Sequence, residues 1–250
     1  MKSEYFSKRS TFNGKIVSLL ASTTEILCAL GLQKNIVGIS HECDNPADIL
    51  LLPKCSSPKI DVNTNSQSIN ESVVNSVMKG LSIYNIDNNL LNSLNPDFIF
   101  TQDMCKVCAI NPDDLNEFLK VSIGKKVEII SYSPNSLSEI INEIRKIGDI
   151  LDCRSGALAL VTDLKIRLKT FKEENLRRKF NPKVAFIEWI SPIYFGGNWM
   201  PEMIELAGGN PCFGGNNKHS SIINFEDIVK QDPDCILIAP CGFDIEKSLV

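Results

Sequence analysis

The sequence is poor in histidine, in excess basic charge and in long apolar runs, and each shortage excludes a class of protein. Two of its 250 residues are histidine, and Lys and Arg (26) are outnumbered by Asp and Glu (30). Nucleic-acid-binding proteins normally carry a basic field, so the net charge of −4 argues against that class. No apolar run approaches the roughly 18–20 residues that cross a bilayer, so we expect no membrane insertion.

Motifs for nucleotide binding and for nucleophilic catalysis are also missing. The chain contains neither G-x-G-x-x-G nor G-x-x-x-x-G-K-[ST], the glycine-rich loops that hold phosphates, and no G-x-S-x-G elbow for a catalytic serine. These absences argue against a dehydrogenase or an ATPase, and we expect no catalytic residues. The 43% of hydrophobic residues is typical of a globular protein.

The N-terminus and the cysteines bear on the compartment. The first fifteen residues are mostly polar and the apolar run from Ile16 is broken by Ser18, whereas a secretory signal has an uninterrupted apolar stretch. Nine cysteines form an odd set without the spacing of a disulfide framework, which is typical of a reducing compartment. We therefore expect a cytoplasmic protein, with an extracytoplasmic location as the alternative.

Short apolar runs alternate with amphipathic segments, which predicts an α/β fold with parallel strands. The predicted strands lie at 16–20, 35–40, 97–101, 127–132, 183–189 and 235–239. The polar stretch 44–67, rich in proline and asparagine, predicts a loop. Ser22-Thr23-Thr24-Glu25 has the pattern of a capping box and predicts a helix that begins at Thr23.

The middle of the chain differs from its two ends. Helical periodicity continues over residues 136–180 without a strand, which predicts a long connecting helix between two Rossmann-like lobes. The lobes are predicted at 1–135 and 181–250. Two similarities between the lobes support an internal repeat. Each lobe begins with a strand followed by a helix, and Asn95-Pro-Asp97 matches Asp232-Pro-Asp234. The second lobe is shorter: either its sheet is smaller or a C-terminal part is lacking.

In open α/β sheets ligands bind beyond the carboxyl ends of the strands. The segments predicted there are 20–24, 40–46, 101–108, 189–199 and 240–243, and they include both tryptophans. If two lobes face each other, these segments converge on one cleft. We therefore expect the ligand to lie between the lobes.

His41, Glu42, Cys43, Cys105 and Cys108 offer nitrogen, oxygen and sulfur donors in these segments. A tetrahedral zinc site needs more ligands than one Cys-x-x-Cys pair supplies. Redox pairs of this kind begin a helix directly after a strand, whereas this pair lies four residues beyond one. We predict no metal site, and a metal or thiol enzyme remains an alternative of another class.

The segment 189–199 contains two tryptophans, Tyr194 and Phe195, with Pro192 and two glycines between them. Aromatic rings provide a large, rigid contact area at low entropic cost. Packing between lobes is one interpretation, and an aromatic cleft for a small molecule is the other. Without a catalytic set in the sequence, the second interpretation predicts a non-enzymatic binding protein.

Several segments resemble the cobalamin-binding members of the ABC-importer substrate-binding proteins, a group that also includes iron–siderophore binders. The segments are Ile16-Val-Ser-Leu-Leu-Ala-Ser-Thr-Thr-Glu-Ile-Leu-Cys-Ala-Leu-Gly31, Val37-Gly-Ile-Ser-His-Glu-Cys-Asp44, Pro96-Asp97 and Trp199-Met-Pro-Glu-Met-Ile-Glu-Leu-Ala-Gly-Gly209. The resemblance spans residues 15–245. The motifs at 101–109 and 239–243 are similar to one branch, which is labelled cobalamin-binding.

The resemblance implies two lobes joined by a rigid helix, a monomer, and a corrinoid held between the lobes as a ligand rather than as a catalytic cofactor. It implies ligand contacts at Ala21, Ser22, Thr23, His41, Glu42, Cys43, Gln102, Asp103, Met104, Cys105, Trp189, Pro192, Tyr194, Phe195, Asn198 and Trp199. It also implies docking on an ABC permease through one surface glutamate per lobe. Glu226 matches in the second lobe, whereas the first lobe has Asn89 with Asp87 nearby.

The same fold could instead bind a ferric siderophore or haem. An anionic iron chelate needs cationic residues around it, and the predicted loops offer only Lys106 and His41. This scarcity favours a ligand of low net charge.

Overall fold

The computed structural model describes residues 12–79, 82–102, 110, 112–115, 118, 126–175, 180–215 and 219–249. The chain divides into two compact units, here called the first unit (residues 1–62, 72–133 and 143–160) and the second unit (63–71, 134–142 and 161–250). None of the described helices has the length and apolar character that a membrane crossing requires.

The described residues form strands and helices in the alternation that the sequence predicts. The strands are β1 (Ile16–Ser18), β2 (Ile36–Ile39), β3 (Ser56–Pro58), β4 (Tyr84–Ile86), β5 (Phe98–Gln102), β6 (Glu128–Tyr132), β7 (Lys183–Trp189), β8 (Tyr194–Phe195), β9 (Asn210–Pro211), β10 (Ser221–Ile222) and β11 (Cys235–Ile238). The helices are α1 (Ala21–Ala29), α2 (Ser66–Met78), α3 (Asn88–Leu94), α4 (Leu137–Ile150), α5 (Arg154–Asn175), α6 (Met200–Leu206), α7 (Phe225–Gln231) and α8 (Ile245–Ser248). Short 3₁₀ turns lie at Gln33–Asn35, Ala47–Leu51 and Pro112–Leu115. The predicted α/β class is confirmed.

The first unit is built on a parallel sheet in the strand order β2-β1-β5-β6. Ile99 on one face of β5 packs in a buried cluster with Val17 and Leu91. On the other face the rings of Phe100 and Tyr132 stack at 6.2 Å. A parallel sheet is covered on both faces. Its strands are therefore continuously apolar, which is why they could be predicted from the sequence.

A second, antiparallel pair of strands in the first unit corrects the loop predicted over 44–67. Within that stretch, β3 pairs with β4 through Ser56↔Ile86 and Pro58↔Tyr84. The strand escaped prediction because its three residues, Ser-Ser-Pro, have none of the β-branched or aromatic side chains that indicate strands.

The helical middle of the chain consists of two helices, α4 and α5, rather than one long connector. The turn between them contains Asp152 in the left-handed region (φ 48°), where a right-handed helix cannot continue. Gly148 permits close packing of the two helices, because a Cβ there would lie 2.4 Å from the Cβ of Ala157. Periodicity alone continues through such a turn, so the sequence did not show the break.

The second unit has a mixed sheet, which corrects the prediction of parallel strands in both lobes. β7 pairs in parallel with β11 and with β9, but β8 is antiparallel to β7 and β10 is antiparallel to β8. The predicted aromatic loop is therefore a hairpin between β7 and β8, in which Trp189 pairs with Tyr194. Two-residue strands are too short for an alternation pattern to reveal.

The two units share the local repeat that the sequence suggested. In each, a seven-residue helix (α3 or α7) ends at a left-handed residue, Asn95 or Asp232, and a Pro-Asp pair then leads into a strand. The aspartates play matching parts: Asp97 accepts the backbone N–H of Lys15, and Asp234 accepts that of Lys183. Each carboxylate thereby joins the start of one strand to the start of its parallel neighbour.

Candidate functional site

The carboxyl ends of the parallel strands in the first unit lie at one edge of the sheet. β1 leads into α1, β2 leads into the turn at His41, and β5 and β6 end at Gln102 and Tyr132, which are in register with each other. Polar side chains from neighbouring strands are therefore brought together at this edge, as the sequence predicts.

Helix α1 begins at Ala21 and not at the predicted Thr23. Its N-cap residue, Leu20, is extended and offers no side-chain cap, so the predicted capping box is wrong. The Thr24 hydroxyl instead donates to the Ser18 hydroxyl at 2.8 Å and contacts the Cys43 thiol at 3.2 Å. All three side chains are buried, and they tie the ends of β1 and β2 to the helix.

The Cys43 thiol lacks the character of a reactive nucleophile. Burial raises its pKa, against the opposing effect of the hydrogen bond with Thr24. The thiolate is the nucleophile and metal ligand of cysteine chemistry, and a raised pKa disfavours it. This argues against Cys43 as the nucleophile of a thiol enzyme. Within the described residues no group of three His, Cys, Asp or Glu side chains is placed to hold a metal ion; Cys105 and Cys108 lie outside those residues.

His41 and Glu42 form the most polar part of this edge. The His41 ring places Nδ1 2.8 Å from the Ser56 hydroxyl and Nε2 3.1 Å from a carboxylate oxygen of Glu42. The ring of Tyr84 lies 5.5 Å away. The hydrogen bond with His41 lowers the pKa of Glu42, which leaves an ionised, half-exposed carboxylate beside the ring.

Gln102 and Tyr132 each contribute a buried, unsatisfied hydrogen-bonding group. The Gln102 Nε2 and the Tyr132 hydroxyl are both buried, and neither has a hydrogen-bond partner within the part of the chain that the structure describes. Burial, with Glu143 as a smaller cause, raises the pKa of Tyr132, so the phenol stays protonated. Buried polar groups are normally paired, and both of these atoms can donate to an oxygen acceptor.

The other residues predicted in the first unit differ in exposure. Ser22 is exposed, Ala21 is half-buried and Thr23 is buried. Asp103, Met104 and Cys105 lie outside the described residues, as does Lys106.

In the second unit an aromatic pair stands at the carboxyl end of β7. The ring of Trp189 meets that of Phe243 edge-on, at 5.2 Å between centroids. The Trp189 indole N–H donates to the backbone carbonyl of Ser191 at 3.1 Å, which fixes the ring orientation. The Lys247 ammonium lies 4.1 Å from the Phe243 centroid, a cation–π contact. Trp189 and Phe243 are half-buried, so each retains surface for a ligand.

Polar groups accompany these rings. Glu188 precedes Trp189; burial raises the pKa of its carboxyl, and a hydrogen bond with Ser220 opposes that shift. The Ser220 hydroxyl also accepts the backbone N–H of Gly197 at 3.0 Å. Asn198, at φ 53°, places its side-chain oxygen 3.1 Å from Nδ1 of His219.

The remaining predicted residues of segment 189–199 are either buried or half-buried. Phe195 is buried against Phe213 at 6.0 Å, a packing contact within the unit. Pro192, Tyr194 and Trp199 are half-buried, and Trp199 is the N-cap residue of α6.

The sequence analysis missed several side chains of these two strand-end clusters, namely Ser56, Tyr84, Tyr132, Glu188, His219, Ser220 and Phe243. Phe243 lies inside the predicted segment 240–243 but was not singled out as a contact. Glu188 directly precedes the predicted segment 189–199 and Tyr132 ends a predicted strand, so slightly wider segments would have included them. Ser56 and Tyr84 belong to the unpredicted β3–β4 pair, and no local pattern pointed to them.

Comparison with known proteins finds a family model that matches nearly the whole described chain. The model of the family described as periplasmic binding protein matches residues 16–249. An uncharacterized ABC transporter substrate-binding lipoprotein of Bacillus subtilis is 26% identical over 229 residues, which cover 89% of this chain and 62% of that protein. The vitamin B12-binding protein of Vibrio vulnificus is 25% identical over 233 residues, 90% of this chain and 71% of that protein. The chain thus spans less than two thirds of the Bacillus relative.

Solved structures agree on the fold. A periplasmic heme-binding protein from Pseudomonas aeruginosa superposes with a TM-score of 0.68 at 17% identity, covering 94% of this chain and 75% of that one. At this level of identity the likeness concerns the arrangement of helices and strands alone.

The cytoplasmic location expected from the sequence is wrong. The matching family is periplasmic, and the Bacillus relative is a lipoprotein of a transporter. The expectation gave too much weight to the cysteine count. Cys43 and Cys55 are buried, and burial raises the pKa of Cys55 to about 12. They behave as small apolar side chains, which do not require a reducing compartment.

Proposed function

Because the chain belongs to the periplasmic binding protein family, we propose that it is the substrate-binding component of an ABC-type uptake or salvage system. Its ligand in this proposal is cobalamin or a related corrinoid, which it binds without chemical change. The Vibrio vulnificus relative, a vitamin B12-binding protein, supports this choice. The observation that carries the proposal is the half-buried aromatic pair of Trp189 and Phe243 at a strand end.

Aromatic rings suit a corrinoid because its macrocycle is broad, rigid and largely apolar. Trp189 is held by its hydrogen bond to Ser191 and by its edge contact with Phe243, so its free surface is already oriented. Tyr194 and Trp199 belong to the same hairpin region and are half-buried as well. Preoriented rings lose little entropy when a ligand packs against them.

The polar groups of the first unit suit the periphery of a corrinoid. A corrin ring carries amide side chains, whose oxygens accept and whose nitrogens donate hydrogen bonds. Glu42 offers an ionised acceptor, and Ser22 offers a hydroxyl that can donate or accept. We propose that these two side chains contact such amides.

The charges at the strand ends favour a ligand of low net charge. Lys54 and Lys247 add two cations to those that the sequence predicted, but each is engaged: Lys54 donates to the His41 carbonyl and Lys247 lies over Phe243. Carboxylates stand in the same two clusters, at Glu42 and Glu188. A strongly anionic iron chelate would find no concentrated positive charge among the described residues here.

We also propose a membrane permease as partner, with Glu226 as a docking residue. Glu226 lies in the first turn of α7 and is exposed. The repeat places Asn89 at the matching position of α3, also exposed but uncharged. A permease that pairs with this chain would therefore meet an asymmetric pair of contacts.

Titration with a corrinoid tests the ligand. Purified protein is titrated with cyanocobalamin, cobinamide and haemin while the absorbance of each ligand is followed. We expect saturable binding of a corrinoid and weaker binding of haemin. Absence of saturable binding to both corrinoids would contradict the proposal, and tight binding of haemin alone would assign the site to a porphyrin.

Two variants locate the site. Trp189→Ala removes a ring from the strand-end cluster, and we expect binding to weaken by about 1–3 kcal/mol through lost apolar contact. Phe180→Ala is the matched control, since Phe180 is an exposed aromatic residue outside the strand ends. Equal losses in the two variants would argue against this position for the ligand.

A further inference from the structure

Ser56 lies beside His41 because the segment before β3 runs along the end of β2. Ile39 and Lys54 form a parallel bridge, and the Cys55 N–H donates to the Ile39 carbonyl at 2.8 Å. Two residues further along the two segments come His41 and Ser56, and the backbone N–H of His41 donates to the Ser56 hydroxyl at 3.2 Å. Backbone pairing thus brings this hydroxyl to the histidine.

The Ser56 hydroxyl also holds the imidazole ring of His41. Its oxygen lies 2.8 Å from Nδ1 of the ring and donates to the Ser40 hydroxyl at 3.2 Å. Both serines are buried, and the Tyr84 ring packs against the imidazole at 5.5 Å between centroids. A hydroxyl can donate and accept, so Ser56 suits either tautomer of the ring. These contacts leave the ring little freedom to turn.

The other ring nitrogen of His41 faces the carboxylate of Glu42. Nε2 is buried and lies 3.1 Å from one carboxylate oxygen. The interaction with His41 is the largest cause of the lowered pKa of Glu42, and the charge of Lys54 is a smaller one. The side chain of His41 is 16% exposed, whereas that of Glu42 is 50% exposed. Both ring nitrogens therefore face other protein groups, and Glu42 is the member of this chain of contacts that a ligand can reach.

We propose that Glu42 selects ligands that present a hydrogen-bond donor, and that His41 and Ser56 are positioning residues that hold its carboxylate for this contact. This selection rests on the proposed function, because the side-chain amides of a corrinoid supply the donor. An ionised ligand carboxylate, such as a haem propionate, has no hydrogen to donate and is repelled by Glu42. Lys54 does not supply a free cation beside it, because its ammonium donates to the His41 carbonyl at 3.4 Å.

The titration of Glu42 in the ligand-free protein tests the positioning. Carbon-detected NMR on the whole labelled chain follows its carboxyl carbon, and we expect a pKa below the ordinary value of about 4.3. Ser56→Ala releases the ring and should move this pKa toward the ordinary value. Ser57→Ala is the matched control, because Ser57 is an exposed serine on the same strand, and it should leave the titration unchanged. An unchanged titration in Ser56→Ala would overturn the positioning, whichever ligand the protein binds.

A double-mutant cycle links the positioning to the ligand. The affinity for cyanocobalamin is measured for the wild type, Ser56→Ala, Glu42→Ala and the double variant. We expect Ser56→Ala alone to weaken binding by about three- to tenfold. In the Glu42→Ala background it should have no further effect, because the hydroxyl acts through the carboxylate. Equal losses in both backgrounds would overturn the inference. If Ser56→Ala fails to fold, His41→Leu takes its place in both measurements.

A comparison of amide and carboxylate ligands tests the selection. Cyanocobalamin is compared with its monocarboxylic acids, in which one side-chain amide is replaced by a carboxylate. We expect the wild type to bind at least one of these acids less tightly, and Glu42→Gln to reduce that preference by at least about threefold, because its amide can also donate. An undiminished preference in Glu42→Gln would overturn the selection. If the wild type binds no corrinoid, the proposed function fails, and the titration of Glu42 still decides the positioning.

Discussion

The carboxylate of Asp234 accepts the backbone N–H of Lys183 at 2.8 Å, and in the other unit Asp97 accepts the backbone N–H of Lys15 at 2.7 Å. Each bond joins the first residues of two neighbouring parallel strands. The ammonium group of Lys183 donates to the carbonyl of Gln231 at the end of α7, and that of Lys15 donates to the carbonyl of Leu94 at the end of α3. The repeat is thus one of hydrogen bonding as well as of sequence.

Removing either aspartate should cost similar stability. Asp97→Ala and Asp234→Ala each delete a charge-assisted hydrogen bond at a partly solvated site, and we expect the free energy of unfolding to fall by about 1–2 kcal/mol in each case. Urea unfolding measures the change. Asp44→Ala, at an exposed position in a loop, serves as the control and should stay within about 0.5 kcal/mol of wild type. A loss in one variant alone would contradict the equivalence of the two positions.

Two glycines in the helical middle should respond in opposite directions to alanine. A Cβ at Gly148 would lie 2.4 Å from that of Ala157, so Gly148→Ala forces α4 and α5 apart and should destabilise by about 1–3 kcal/mol. Gly156 on α5 has its nearest neighbours at 3.9 Å, so Gly156→Ala should stabilise by about 0.5–1 kcal/mol through helix propensity. Thermal unfolding of both variants checks this. Destabilisation by Gly156→Ala as well would mean that the packing is tighter than described.

The Glu188 carboxyl should make stability depend on pH. Burial raises its pKa in the folded protein, so the folded state favours the protonated form. Stability is then lost as pH rises from the unfolded-state pKa, about 4.3, through the higher folded-state pKa. The Glu188→Gln side chain cannot ionise. The variant's free energy of unfolding should therefore rise relative to that of the wild type over this pH range and equal it at about pH 3. Urea midpoints across the range measure the difference, and a difference that does not vary with pH would contradict the prediction.

Cysteine labelling should separate buried from exposed thiols within one molecule. Cys55 is buried and its pKa is raised to about 12, and burial raises the pKa of Cys28 to about 11, whereas Cys241 is exposed. Iodoacetamide reacts with thiolates, so at about pH 8 we expect rapid modification of Cys241 and slow modification of the other two. Mass spectrometry of proteolytic peptides measures each rate. Labelling of Cys55 as fast as that of Cys241 would show that the segment before β3 opens readily.

The fold was predictable where burial acts on both faces of an element. The run Ile16–Leu20 and the segment Lys183–Trp189 are apolar because parallel strands are covered by helices, and both appear as strands in the structure. Gly31 follows α1 at φ 77°, as a helix C-terminal signal predicts. The alternation of such signals was enough to predict the α/β class.

Other features depend on contacts between residues far apart in the sequence. The hydroxyl of Thr24 is placed by Ser18 and Cys43 and not by a capping box, and β3 exists because β4 pairs with it. For the candidate site, the sequence predicted which segments follow the carboxyl ends of the strands. It did not predict that Ser56 would hold the His41 ring, since that contact depends on the unpredicted strand pair.

The β7–β8 hairpin affects the affinity with which a ligand can bind. Trp189 and Tyr194 face each other across hydrogen-bonded strands, and the backbone N–H of Gly196 donates to the carbonyl of Phe186. A Cβ at Gly196 would come within 2.3 Å of the Phe186 ring, so the backbone lies directly against the sheet. This hairpin therefore loses little conformational entropy when a ligand binds, and slow dissociation of the ligand is favoured without any closing motion of the hairpin.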